Sequence, residues 1–153
     1  MDIICTYCSK KKDETFNCLP AIYMYKSNRI NKVYESANRL EINFYILSGK
    51  HGLISPDEII YSYDQILLLE QVQSLAETVE KQLIKNSINR VFFYHRPIKD
   101  DPKINTYIQT MKIACTNSNI ELILCEINLI EENKNDGIGF REIWQKAIQA
   151  NQK

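Results

Sequence analysis

Short apolar runs alternate with amphipathic stretches along this chain, and that alternation limits its fold more than any other feature. The runs at residues 2–7, 42–47, 91–94 and 121–127 are rich in β-branched or aromatic residues, as strands buried on both faces are. Strands that alternate with helices form a mainly parallel sheet sandwiched by helices, with right-handed crossovers. The sequence therefore predicts an α/β fold with a sheet of about four strands.

Amphipathic spacing predicts helices at residues 28–40, 65–85 and 102–118, and a last helix after the polar stretch at 131–137. The length of 153 residues suits one domain with a real core and is too short for two, so we expect a single domain over 1–153.

Composition excludes several classes of function. Nineteen basic and nineteen acidic side chains cancel, so any contact with nucleic acid must depend on a local patch. No apolar run approaches the ~20 residues that span a bilayer, and no signal peptide is recognisable. The five cysteines are an odd number without the density of a disulfide scaffold, which favours a reducing compartment. We expect a cytoplasmic protein without a membrane partner.

Polar residues gather where three of the predicted strands end, at residues 8–12, 48–64 and 95–99. If those strands are neighbours, the clusters converge in the crevice where open α/β sheets bind ligands. Lysine and arginine suit phosphate, histidine suits proton transfer, and carboxylates activate water. This inventory suits attack at the anomeric carbon of a sugar, and it equally suits nucleotide binding without reaction.

Each candidate also has a structural explanation. Asp57 follows Pro56 and has a turn or cap role about as readily as a catalytic one, and Asp64 can cap the following helix. His51 suits a turn, and Ser9 to Lys12 suits a solvated basic loop. Cys5-x-x-Cys8 lacks a matching second pair, and no P-loop or dinucleotide fingerprint occurs, so no metal or cofactor is predicted.

The motifs in the first 65 or so residues resemble those of a bacterial and phage domain family of unknown function. They are Cys8-Ser9-Lys10-x-Lys12, Pro20-Ala21-x-Tyr23, Leu47-Ser48-Gly49-Lys50-His51-Gly52-Leu53, Pro56-Asp57-Glu58 and Tyr63-Asp64. The usual central signature of that family reads Leu-Ser-Ala-Lys-Tyr-Gly-Leu. Here Gly49 replaces its alanine and His51 its tyrosine, so we expect selection or stacking of the base to differ at that position.

That family is distantly similar to the catalytic domain of archaeosine synthase, and both are thought to share the uracil-DNA-glycosylase-like fold. The resemblance implies a three-layer α/β/α sandwich that works on a nucleobase in DNA or tRNA. The aspartate that follows the first strand of a true uracil glycosylase is absent, so a uracil-specific enzyme is not expected. The resemblance places Ser9, Lys10, Ser48, Lys50, Gly52, Asp57 and Asp64 in the pocket.

Together these arguments predict a DNA glycosylase that hydrolyses the N-glycosidic bond of a modified base, with a role in phage defence or repair. Asp57 or Asp64 would serve as the catalytic carboxylate, and His51 and His95 would steady the leaving base. The substrate-binding candidates are Cys8, Ser9, Lys10, Lys12, Tyr23, Ser48, Gly49, Lys50, Gly52, Tyr63 and Arg96. The alternatives are a tRNA-modification enzyme or accessory domain and a non-catalytic nucleotide sensor.

Overall fold

The computed structural model describes residues 1–10, 12–63 and 66–127 of the chain. This part contains the four predicted strands, whereas the predicted helix after residue 137 lies outside it.

A five-stranded sheet forms the centre of the fold. Its strands are β1 (Asp2–Tyr7), β3 (Asn43–Ser48), β4 (Gly52–Ile54), β6 (Arg90–His95) and β7 (Glu121–Glu126), in the spatial order β4-β3-β1-β6-β7. Only β4 is antiparallel to its neighbour. The inner strands β1 and β6 bury five of their six residues, as their apolar sequences require. The predicted mainly parallel α/β sheet is confirmed, with five strands rather than about four.

The additional strand arises from the segment after Ser48, which the sequence predicts as a polar loop. Gly52–Ile54 instead folds back onto β3, pairing Gly52 with Ser48 and Ile54 with Ile46. Gly52 permits this reversal because its φ is +74°, and Leu53 and Ile54 are buried by it. A separate two-stranded ribbon pairs β2 (Cys18–Pro20) with β5 (Ile59–Tyr61) and was not predicted either.

Four α-helices accompany the strands in the described residues: α1 (Ala21–Met24), α2 (Asn28–Leu40), α3 (Val72–Lys85) and α4 (Ile104–Asn117). The bounds of α2 are those predicted, and α4 lies within its predicted range. None of these helices combines the length and hydropathy needed to cross a bilayer.

Helix α3 begins later than the predicted residue 65. Leu68 is extended, with ψ at 153°, and a 3-10 turn over Leu69–Gln71 precedes the helix. The Gln71 side chain accepts a 3.0 Å hydrogen bond from the Leu68 amide, and Leu67 is buried. These contacts hold the segment out of a helix despite its apolar spacing.

The order of the strands creates a switch point between β1 and β6. From β1 the chain crosses by α2 to β3 on one side, and from β6 it crosses by α4 to β7 on the other side. Right-handed crossovers in opposite directions place their helices on opposite faces of the sheet. The loops that follow β1 and β6 therefore diverge, and the crevice between them is where α/β folds of this kind bind ligands.

Candidate functional site

A narrow cleft of about 70 Å³ lies at this switch point. One wall comes from the end of β1 and the loop after it, and the other comes from the start of α4 and the segment before it. Its lining residues are Tyr7, Cys8, Ser9, Lys10, Lys12, Ile66, Asp101, Lys103, Ile104 and Tyr107. Since a water molecule needs roughly 10–15 Å³ by this measure, the cleft has room for a few waters or one small polar group.

The buried guanidinium of Arg29 fixes the β1 wall. Arg29 is 4% exposed and donates hydrogen bonds to the Thr6 hydroxyl at 2.6 Å and to the carbonyls of Tyr7 at 2.7 Å and Cys8 at 3.4 Å. It also stacks on the Tyr7 ring, 3.6 Å from its centroid. Among the described residues no carboxylate pairs with it, and an arginine stays charged in proteins. A buried positive charge therefore lies directly behind Tyr7, one of the residues that line the cleft.

Burial raises the pKa of the Tyr7 phenol, while the guanidinium groups of Arg29 and Arg96 act in the opposite direction and the Asp101 carboxylate adds to the rise. Tyr7 also stacks on Tyr107 across the cleft, with ring centroids 5.6 Å apart. The Tyr107 hydroxyl lies 3.4 Å from the Cys8 thiol. The two walls therefore meet through an aromatic pair.

The turn between β3 and β4 adjoins this cleft. Ser48 is fully buried, and its hydroxyl oxygen accepts hydrogen bonds from the amides of Lys50 and His51, both at 3.1 Å. A Cβ placed on Gly49 would lie 3.3 Å from the Tyr107 hydroxyl, so the turn packs directly against the α4 wall. The predicted convergence of the β1 and β3 ends is therefore present in the structure.

Three hydroxyls form a directed chain beside the turn. The Ser48 hydroxyl lies 2.8 Å from the Tyr63 hydroxyl, which lies 2.7 Å from that of Tyr25. A hydroxyl oxygen has two lone pairs, and two amides already occupy those of Ser48, so Ser48 donates to Tyr63 and Tyr63 donates to Tyr25. The Tyr25 hydroxyl hydrogen then has no acceptor within the described part of the chain. Burial raises the pKa of both tyrosines, which keeps them protonated.

Cations surround the Tyr63 ring. The ammonium of Lys12 lies 4.5 Å and that of Lys50 5.5 Å from its centroid, and the His51 ring meets it edge-on at 5.6 Å. The ion pairs formed between described residues are Lys26–Asp13 and Arg90–Asp2, so these two ammonium groups have no carboxylate partner there. Burial and the Lys50 ammonium lower the pKa of His51, while Glu58 opposes them. Like charges gathered in this way favour an anionic ligand.

Asp101 is the carboxylate that lines the cleft in the described residues. Its Oδ1 accepts a 3.1 Å hydrogen bond from the Lys103 amide just before α4, so it also supports the start of that helix. The segment after β6 therefore supplies Asp101 to the cleft rather than the predicted His95.

The structure does not bring Asp57 to this cleft. Because β4 runs antiparallel to β3, Asp57 lies beyond the opposite end of the hairpin and shares a surface groove with Asn43 and Tyr45. Five residue steps along β3 lead from Asn43 to Ser48, a distance of about 16 Å. Asp57 is also exposed. The turn role is the one that this position supports.

The remaining predicted residues are only partly assembled. His95 is buried, stacks beside Phe93 and contacts the carbonyl of Arg96 through Nδ1 at 2.8 Å, but it does not line the cleft. Tyr23 is 65% exposed on α1 and points away from the core. Ser9, Lys10 and Lys12 line the cleft, and Gly52 shapes the hairpin behind it. Asp64 lies outside the described residues.

Sequence reasoning missed four contributors, and each left a signal. Tyr25 stands two residues after the predicted Tyr23 and is 1% exposed, so Tyr25 and not Tyr23 is the tyrosine that faces the interior. Arg29 lies four residues before Val33, on the apolar stripe of α2, where a charged residue is unusual. Tyr107 lies on the apolar stripe of the helix predicted at 102–118, and Asp101 lies in the polar segment that follows the predicted strand at 91–94.

The family comparison covers most of these elements. The model of the family of unknown function DUF6884 matches residues 3–96, from β1 through β6, and so includes the loop after β1 and the whole Ser48 turn. No curated protein matches the chain, and no solved structure does. Since the match extends over more than half of the sequence, the chain belongs to the family of unknown function DUF6884.

Proposed function

We propose that this chain processes bases in nucleic acid, and that it hydrolyses the N-glycosidic bond of a modified base in DNA within a uracil-DNA-glycosylase-like fold. The observation that carries the proposal is the cleft at the switch point between β1 and β6, where hydroxyls, ammonium groups and one carboxylate meet. The chain has no net charge, so this local concentration of cations supplies the grip that a phosphate backbone requires.

The roles follow from the positions of the groups. Lys12 and Lys50 hold phosphate beside the cleft, because their ammonium groups lie near one ring without a carboxylate partner among the described residues. The Tyr25 hydroxyl donates to an acceptor atom of the base, since it ends the Ser48–Tyr63–Tyr25 chain and its hydrogen has no acceptor among the described residues. Arg29 and His51 stabilise negative charge on the departing base.

Asp101 is the carboxylate proposed to activate water or to stabilise the sugar cation, with Asp64 as the second candidate. A base that leaves a duplex must be flipped, which costs a few kcal/mol and costs less for a modified or mispaired base. The cleft must widen to admit the base, and the half-exposed side chain of Ile66 at its edge is the group we propose to move.

The test is incubation of purified protein with DNA and tRNA that carry normal, deaminated, hydroxymethylated, glucosylated and 7-deaza bases, followed by mass spectrometry for released base. We expect release from at least one modified DNA, lost in Asp101→Asn or Asp64→Asn and kept in Asp57→Asn, the matched control. Release from tRNA alone would favour the tRNA-modification alternative. A folded protein that releases no base from any substrate would refute hydrolysis.

One observation favours a second candidate, a nucleotide-sensing module without catalysis. The cleft is small, and its described carboxylate is partly engaged by the Lys103 amide.

Two variants of the Ser48–Tyr63–Tyr25 chain distinguish a role in ligand binding from a structural role, whether or not the protein is an enzyme. Tyr25→Phe removes the proposed donor to the ligand, whereas Tyr63→Phe breaks the same chain and leaves the Tyr25 donor intact. We expect Tyr25→Phe to weaken binding of a substrate oligonucleotide about tenfold, and Tyr63→Phe to weaken it less.

A further inference from the structure

The outward side of the β2–β5 ribbon is apolar and exposed. Cys18 pairs with Tyr61 and Pro20 pairs with Ile59 on this side, whereas Ile60, which alternates with them, points inward and is 3% exposed. Tyr61 is 70% exposed and Ile59 is 59% exposed. A strand normally presents polar residues on its solvent side, so this inversion of the pattern needs an explanation.

Aromatic side chains are concentrated there. In the described part of the chain the strongly exposed aromatic residues are Phe16 at 58%, Tyr23 at 65% and Tyr61 at 70%. Phe16 stands two residues before Cys18, in the loop that leads into β2, and Tyr23 belongs to α1, which follows β2 directly. We call the surface formed by Phe16, Cys18, Ile59 and Tyr61 the ribbon face.

The ribbon face runs into the cations of the cleft. The Ser62 amide donates a 2.9 Å hydrogen bond to the Asn17 carbonyl, which extends the pairing one step beyond Tyr61. The next residue is Tyr63, whose ring has the Lys12 ammonium at 4.5 Å and the Lys50 ammonium at 5.5 Å. Two residues span at most about 7 Å. The ribbon face is therefore adjacent to two ammonium groups that have no carboxylate partner among the described residues.

We infer that the ribbon face is a stacking platform for single-stranded nucleic acid, on which bases next to the one in the cleft stack against Tyr61 and Phe16. This inference rests on the proposed function and extends it to how the flanking strand is held. Sequence-independent binding of single strands combines aromatic platforms with a cationic track for the backbone, and the ribbon face meets Lys12 and Lys50 in that arrangement. The adjacent ammonium groups favour this ligand over an apolar protein surface, which would leave them without partners.

The test is fluorescence anisotropy of the full chain with a labelled single-stranded oligothymidylate. We expect Tyr61→Ala and Phe16→Ala each to weaken binding about tenfold, the loss that follows removal of one stacking partner. Tyr61→Phe should bind normally because it keeps the ring. Ile84→Ala, on α3, is the matched control, since Ile84 is 61% exposed and should not affect binding. Lys12→Ala should lower the slope of log affinity against log salt by about 0.7.

Circular dichroism of each variant establishes that the fold is retained. Equal affinity of Tyr61→Ala and wild type, or no binding of the oligothymidylate by wild type, would overturn the platform. So would a wild-type dimer that Tyr61→Ala converts to a monomer without a change in affinity. Oligothymidylate carries only normal bases, so its binding tests the platform independently of hydrolysis. Binding of oligothymidylate together with no base release from the modified substrates would support the platform and refute hydrolysis. Base release with a KM that Tyr61→Ala does not change would support hydrolysis and refute the platform.

Discussion

Replacing Gly52 by alanine should destabilise the protein much more than the same change at Gly49, three residues earlier. Gly52 has φ of +74°, and a Cβ there would lie 2.5 Å from Oε1 of Gln82. That oxygen accepts from the Leu53 amide at 2.7 Å, and the Gln82 amide nitrogen donates to the carbonyls of Leu53 at 3.1 Å and His51 at 3.2 Å. An alanine therefore strains the backbone and displaces the side chain that ties the hairpin to α3.

The magnitude follows from these two effects. A left-handed conformation costs an alanine roughly 1–2 kcal/mol, and each lost hydrogen bond contributes roughly 0.5–1.5 kcal/mol. If the displaced Gln82 loses one or two of its bonds, the free energy of unfolding falls by about 3 kcal/mol. At Gly49 the φ is not positive and the nearest atoms are 3.3 Å away, so we expect a loss below about 1 kcal/mol.

Urea unfolding followed by circular dichroism measures both variants. With a slope of about 2 kcal/mol/M, Gly52→Ala should lower the midpoint by roughly 1.5 M, and Gly49→Ala by less than about 0.5 M. Gln82→Ala should fall between them, because it loses the hydrogen bonds without the backbone strain. Equal midpoints for the two glycine variants would refute the reasoning, since it depends on the difference in backbone conformation.

Two further predictions concern charge. Arg29→Met should lower the free energy of unfolding by about 2–3 kcal/mol in urea, because three buried acceptors lose their donor; a more stable variant would mean that desolvation of the guanidinium dominates. Burial and Lys50 hold the pKa of His51 below its usual 6.5, so as the pH falls below about 6.5 the unfolded chain takes up the proton first and stability declines. His51→Gln should lose less stability between pH 7 and pH 5, and an unchanged loss would contradict this.

The sequence predicted those parts of the fold whose local hydrophobic pattern is enough to define a strand or a helix. The buried strands are continuous apolar runs, the helix over 28–40 has clear periodicity, and the structure agrees with both signals. The hairpin strand Gly52–Ile54 is too short for a periodic signal, and its pairing depends on Gln82, a residue distant in the sequence. The same limit explains the late start of α3, which depends on contacts of Leu67 and Gln71.

The sequence predicted where the candidate site lies better than it predicted which residues form it. The strand ends after β1 and β3 converge as expected because both strands are parallel neighbours. Asp57 was misleading because sequence proximity to Ser48 does not show that the intervening strand turns back and takes it to the other end of the sheet. Tyr25 directly follows α1 and Arg29 lies near the start of α2, and the approach of both residues to the site depends on the tertiary structure.

The most direct test of the account is a map of amide chemical shifts during titration of the protein with thymidine monophosphate. The account predicts that perturbations concentrate at residues 8–12, 48–51 and 101–107, the three segments that meet at the cleft, and spare the groove that contains Asp57. Perturbations confined to residues 43–45 and 55–57, or none at millimolar nucleotide, would contradict the claim that the switch-point cleft is the ligand site.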